Sequence, residues 1–284
     1  MKNFFQILGV FALFAISLLY TEQAVTVVRQ LDDFMIKINE VKEQYEIKPI
    51  DAIITNDEII PGLNGRKVDA DKSYRNMKRA GQFNPNLFEY YSVKPTISLK
   101  NNYQKYVISA NPKKNTISLV FIVNDSGDVL SVLEILKQKK VTATFFVDSD
   151  WLEKNSKQAS QIVKNGNILG NLSYKNNYND SLFTWVDTII SQLNKQNHYC
   201  YMEKKNEDYL KTCAMYKNYT IKPSLVIKSS PLKEIKENVK AGSIISFPID
   251  DLVLDELGST INYLKAKGYE IVNLDKHLSE EVEE

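Results

Sequence analysis

Histidine is nearly absent: the chain holds two, His198 and His277, among 284 residues. A metal centre rich in imidazole cannot be assembled from that pair. Cysteine is as scarce. Cys200 and Cys213 lack the spacing of a zinc module, which leaves two readings open, a disulfide in an oxidising compartment or two separate buried thiols. An excess of either charge is missing too, since 36 Lys and Arg balance 35 Asp and Glu for a net of +1 with the signs interspersed. No basic field exists to draw nucleic acid, so nucleic acid is not among the expected partners.

What is present begins with an uncharged run from Asn3 to Thr21 that includes "FFQILGVFALFAISLLY". At ~1.5 Å per residue such a helix comes close to crossing a ~30 Å hydrocarbon layer. The run is long for a cleaved signal peptide, and "LLYTEQA" lacks small residues at the spacing cleavage needs, so residues 1–21 read as an uncleaved transmembrane signal anchor. Lys2 before the span and Glu22 after it place the N-terminus in the cytoplasm and the main domain outside, as a single-pass membrane protein. Val25, Val28, Leu31, Met35 and Ile38 then recur at three- and four-residue steps, the pattern of an amphipathic helical stalk over 22–48 that Pro49 ends. The stalk either forms a short coiled coil, giving a homodimer, or packs on the neighbouring domain.

Residues 50–110 have the texture of a small membrane-proximal α+β module. Ile59-Ile60-Pro61-Gly62 and Asn64-Gly65 are turn signals, and Asp69 caps a helix through Ser73, Met77 and Ala80 that stops at Gly81. Over 115–278 strands and helices alternate. "TISLVFIV" is a continuous β-branched and apolar run suited to a strand buried on both faces, and Asp128 caps the helix that carries Val129, Val132, Leu133 and Leu136. "VTATFFV", "HYCYM", "TIKPSLVI", "SIISFPI" and "YEIVNL" read as further strands, with "SKQASQIVKNGN" and "SLFTWVDTIISQLNKQ" as helices. The expected class is α/β, closed into a barrel or something near it. The end, 279–284, "SEEVEE", reads as a disordered acidic tail.

Three motifs in this alternation carry a resemblance. "ILKQKKVTATFF", "IVKNGNILGNLSY" and "LKAKGYEIVNL" occur in that order and at roughly the distances found in the polysaccharide deacetylase family, also called the NodB-homology family. The resemblance covers about 115–278 and implies that family's fold, a distorted (β/α) barrel with fewer than eight units. It also implies a chemistry, removal of an acetyl group from an N-acetylated sugar. There a divalent metal such as zinc, held by one Asp and two His, activates water, with a carboxylate as base and a further His as acid.

This chain departs from the pattern at every motif. The histidine pair of the second motif falls on Leu172 and Asn176, which offer no imidazole. The paired aspartates of the first motif fall on Ile122 and Val123 when Phe121 is aligned, or on Asp125 and Ser126 when Gly127 is aligned, and neither register supplies two carboxylates. The arginine-proline motif falls near "YCYMEKKN", a strand without arginine. Pro248 stands where the acid histidine would be. The resemblance therefore implies a scaffold with no catalytic residues, no metal ligands and no cofactor.

The positions left at the degenerate site are candidates for ligand binding: Asn124, Asp125 and Ser126 after the first strand, Asn171, Leu172 and Asn176 in the second motif, Tyr201, and Pro248. With Ser173, Tyr174 and Tyr199 they supply the amides, hydroxyls and aromatic faces that sugar recognition uses. Cell-wall polysaccharide or peptidoglycan is the partner this implies. Trp151 and Trp185 lie on helical patterns and read as packing residues, and Asp250, Asp251, Asp255 and Glu256 as a solvated helix start. Two other classes remain open: an active carbohydrate N-deacetylase that uses Asp125, and a structural or partner-recruiting envelope protein.

Overall fold

The computed structural model describes residues 29–124, 127–175, 177–178, 180–194 and 198–282. The expected span over 3–21 and the stalk positions Val25 and Val28 lie outside them. Among the described residues no helix is long and apolar enough to cross a membrane. In chain order the first elements are α1 (Asp33–Val41), β1 (Ile53–Thr55), β2 (Glu58–Ile60), β3 (Gly65–Val68), α2 (Ala70–Ala80), β4 (Tyr90–Val93) and β5 (Tyr106–Val107). The alternation proper runs β6 (Thr116–Ile122), α3 (Val129–Lys139), β7 (Thr144–Val147), α4 (Ser149–Lys154), α5 (Ser156–Lys164), β8 (Ile168–Asn171), α6 (Asp180–Leu193) and β9 (Tyr199–Tyr201). It continues with α7 (Glu207–Met215), β10 (Tyr219–Ile221), β11 (Leu225–Val226), α8 (Pro231–Asn238), β12 (Ile244–Pro248), α9 (Asp251–Ala266), β13 (Glu270–Ile271) and α10 (Leu274–Leu278).

These elements divide into two compact units, and not where the turn signals suggested. The chain through Pro49 joins Gly65–Val93 in the first unit, whereas Ile50–Asn64 belong with Lys94–Glu284 in the second. In the first unit Asp32 caps α1 by accepting from the Phe34 amide, and α1 buries Met35 and Ile38 beside Val68, Met77 and Phe88. Leu31, on the same pattern, is 73% exposed. Asp69 caps α2 through the Lys72 amide, and Gly81 ends it with φ 70°, as expected.

The second unit is built on one eleven-stranded sheet in the order β1-β2-β5-β10-β9-β8-β7-β6-β12-β11, with β13 added to β6. The supposed 50–110 module was misdrawn for this reason: β1, β2 and β5 are strands of the main sheet, and Ile59 and Val107 are fully buried in it. All its pairings are parallel except β1 with β2, so its strands carry apolar side chains on both faces. On β6, Ile117, Leu119 and Phe121 face the helices while Val120 and Ile122 join the opposite cluster.

The sheet must curl. Ile221 ends β10 and Leu225 begins β11, so at ~3.8 Å per Cα step the two lie no more than about 15 Å apart. Along the sheet the same strands are six spacings apart, roughly 29 Å if flat at ~4.8 Å each. Pro223, which has no amide hydrogen, sits in the join and splits the single strand expected from "TIKPSLVI" into two at distant places in the path. The path keeps two ends, at β1 and β11: a curled half-barrel sheet with helices, consistent with the expected distorted (β/α) barrel.

The foot of β6 is held by a polar knot. His277 on α10 is fully buried, with Nδ1 2.8 Å from Thr116 Oγ1 and Nε2 3.1 Å from the Gly242 carbonyl. Burial drives the pKa of this imidazole down to about 3, so it stays neutral, donating from Nε2 to Gly242 and accepting at Nδ1 from Thr116. Below about pH 6.5 the unfolded chain takes up a proton that the native state refuses, at a cost of about 1.4 kcal/mol per pH unit until about pH 3. Unfolding free energies from denaturant titrations at pH 7 and 5 should therefore differ by about 2 kcal/mol in the native chain and much less in His277→Gln. An equally steep decline in the variant would assign the slope to another group.

Past α10 the acidic end is not free, contrary to expectation. The Glu280 carboxylate accepts from the Gly62 amide at 2.9 Å, the Leu99 amide at 2.8 Å and the Ser98 hydroxyl, and its carbonyl accepts from Asn64. One carboxylate with three donors fastens segments remote in sequence.

Candidate functional site

In parallel α/β sheets ligands bind at the C-terminal ends of the strands, and here β6, β8, β9 and β12 bring the candidate residues to that end. Phe121 stacks between Phe145 at 5.2 Å and Phe247 at 5.4 Å, and it is in register with both. In the alignment on Phe121, Ile122 and Val123, both apolar, stand where the resemblance puts the paired acids; the alignment on Gly127 puts Asp125 and Ser126 there. Val123 is buried and donates its amide to Phe146. Asn124 is exposed, while Asp125, Ser126 and Asn176 lie outside the described residues. Asp128 caps α3 as expected, accepting from the Ser131 amide and hydroxyl, and these bonds hold its carboxyl below the usual range.

The second motif forms a turn in which Asn171 is engaged within the fold, while the buried Ser173 hydroxyl has no hydrogen-bond partner among the described residues. Asn171 is 1% exposed; its Nδ2 donates to the Phe183 carbonyl and its Oδ1 accepts from the Ser173 amide. Leu172 points inward beside Phe146 and Tyr201 in one buried cluster. Ser173 takes a left-handed φ of 57°, and its amide is tied back to Asn171. Tyr199 is buried as well, its hydroxyl donating to Asp275.

Two residues that sequence reasoning missed repair the gap beside this turn. β8 and β9 share a single paired position, Asn171 with Cys200. Where the ladder fails, the Tyr178 hydroxyl lies 2.9 Å from the Asn171 carbonyl and 2.8 Å from that of Tyr201, and accepts from the Tyr201 amide. Burial raises its pKa well above the ordinary phenol value. Lower down, the Asn194 side chain replaces a strand partner, giving and receiving hydrogen bonds with the Leu169 backbone. A buried ladder cannot be left open, and these side chains satisfy it. Only the polarity of isolated residues near strand ends could have signalled them.

Tyr201 is 4% exposed, its ring 5.3 Å from that of Phe146 and its hydroxyl 2.9 Å from Ser246 on β12. Burial pushes this phenol up to about 12. Pro248 is in register with Ile122. Cys200, the neighbour of Tyr201, is bonded to Cys213 on α7, which decides between the two readings of the cysteines. Trp151 is buried as expected, but Trp185 is 41% exposed and is not a core residue.

The donor set does not fit a metal. Leu172, Ile122, Val123 and Pro248 offer no side-chain lone pair, and among the described residues no group of three or more His, Cys, Asp or Glu is placed to hold a cation. His277 lies at the foot of β6, away from the strand ends, and His198 pairs with Asp187 at 3.2 Å.

Residues 109–216 match the family model described as polysaccharide deacetylase. The chain is 33% identical over 180 residues to the uncharacterized protein YlxY of Bacillus subtilis (strain 168), covering 62% of this chain and 55% of YlxY. It is 29% identical over 140 residues to the peptidoglycan-N-acetylmuramic acid deacetylase PdaA of the same organism, covering 49% of each. The matches thus span about half the length of these curated relatives. A solved structure of BA3943, a CE4 family pseudoenzyme from Bacillus anthracis, superposes with a TM-score of 0.68 at 25% identity, covering 88% of this chain and 96% of that one.

Proposed function

We propose, from the premise that this chain carries a polysaccharide deacetylase domain, that it is a member of that family without hydrolytic activity and serves the cell envelope by binding or organising glycan. The observation that carries this reading is the joint loss at one strand end. Ile122, Val123, Leu172 and Pro248 stand where the resemblance puts acids and imidazoles, and among the described residues no group of three or more His, Cys, Asp or Glu is placed to hold a metal. Water activation on a metal needs charged or lone-pair ligands, and a hydrocarbon wall cannot supply them. No cofactor is expected.

The reading places the chain outside the cytoplasm, anchored through residues 3–21. The uncharged N-terminal run supports this, as does a disulfide of the kind that persists in oxidising compartments. Cell-wall polysaccharide or peptidoglycan is the proposed partner. Purified chain incubated with zinc or cobalt should release no acetate from N-acetylated glycans, yet should be retained on isolated cell-wall material. Sustained acetate release would reject the inactive reading, and absence of retention would remove the glycan partner.

A further inference from the structure

The Tyr201 hydroxyl bonds Ser246, although four strand spacings separate β9 from β12 along the sheet. Followed around the wall, that is about 19 Å, far more than one side chain can reach. The contact therefore runs across the hollow of the curl and not along it. The space it crosses is filled. Phe146 lies so close over Gly170 that a Cβ there would come within 2.3 Å of the ring, and the Tyr201 ring packs against Phe146 with centroids 5.3 Å apart. Val120, Leu172 and Ile221 complete the same buried cluster.

We infer that this chain has lost the ancestral chamber as well as its ligands, and that Tyr201, braced on Ser246, is the residue that holds the chamber shut. The inference deepens the reading of the domain as inactive and depends on it. A neutral, buried phenol is neither a base nor a metal ligand at ordinary pH. Ser246 is in register with Val120, two residues below the Pro248–Ile122 pair, so anything reaching below that pair among Ile122, Leu172 and Phe146 must first displace the phenol, with loss of the Ser246 bond and the contact with Phe146. Glycan, on this view, is met by the outer rim and not by the interior.

The test compares two full-length variants. The first carries Ile122→Asp, Val123→Asp, Leu172→His and Pro248→His; the second adds Tyr201→Gly. After gel filtration with zinc, the first should retain none, and the second about one ion per chain. Equal retention by both, or by neither, overturns the inference. Acetate release by the unaltered chain would instead reject the inactive reading, so the two failures are distinguishable. Single Tyr201→Gly in the otherwise native chain guards against misfolding of the multiple variants. Its vacated space should admit phenol, raising its melting temperature and leaving the native chain unmoved. If phenol fails to separate the two, Tyr201 does not fill the chamber and the inference falls.

Discussion

Phe121→Ala should destabilise the chain by about 3–5 kcal/mol and lower the melting temperature by roughly 6–20 °C. Phe121 is fully buried on the helix face of β6, a strand paired on both sides, with stacked rings on both sides. Removing its ring leaves a hole that Phe145 and Phe247 cannot fill, because each is held by its own parallel ladder on β7 and β12. Two terms add: the transfer free energy of the lost ring and the cavity left behind. The aromatic pairs contribute about 0.5–1.5 kcal/mol each beyond that area. Trp185→Ala is the contrast. Its 41% exposure on the outer face of α6 predicts a change within about 0.5 kcal/mol, although tryptophan is the larger residue. Thermal and denaturant unfolding of the two variants check this. A Phe121→Ala loss below about 1 kcal/mol would mean that the three-ring stack does not anchor the core.

That stack was readable in the sequence because a parallel strand buried on both faces has few alternatives. "TISLVFIV" and "VTATFFV" are continuous β-branched and aromatic runs, and they became β6 and β7 with ends shifted by one to three residues. Caps were equally legible, since Asp69 and Asp128 act within three residues of themselves. The unit boundary was not. β1 exposes all three of its residues, and nothing in "IIT" announces pairing with a strand that lies next to a segment some fifty residues on. Turn signals at Pro61-Gly62 and Asn64-Gly65 marked where the chain passes from one unit to the other, not the interior of a module.

The candidate site divides in the same way. Of the positions named by a motif, Leu172 follows the end of β8 and Pro248 ends β12. Their environment did not follow from the motif. Asn171 and Tyr201 suggested a polar groove as isolated letters, but in the fold Asn171 serves its own turn and Tyr201 reaches Ser246, a partner 45 residues away. Local pattern reports which face a residue takes. It does not report which distant hydroxyl it finds there.

Removal of the Cys200–Cys213 link should cost about 3 kcal/mol, because it closes a short loop with a sequence separation of 13 and so constrains the unfolded chain. Both cysteines are fully buried, so the native protein should resist reductant, and dithiothreitol should act only as fast as the chain opens. The bond also sits where the sheet is weakest. β9 shares one paired position with β8 and three with β10, and Cys200 is that single residue opposite Asn171. Without the link, β9 depends on its β10 ladder and on the Tyr178 hydroxyl to stay in line, and Tyr201 with it. The measurement is unfolding of Cys200→Ala/Cys213→Ala beside the native chain, with a thiol assay on denatured native protein that should find none. Free thiols in protein isolated from outside the membrane, or equal stability of the two chains, would break the argument. A deficit of the expected size would also make a reducing compartment a costly place for this fold, which accords with the proposed extracytoplasmic location.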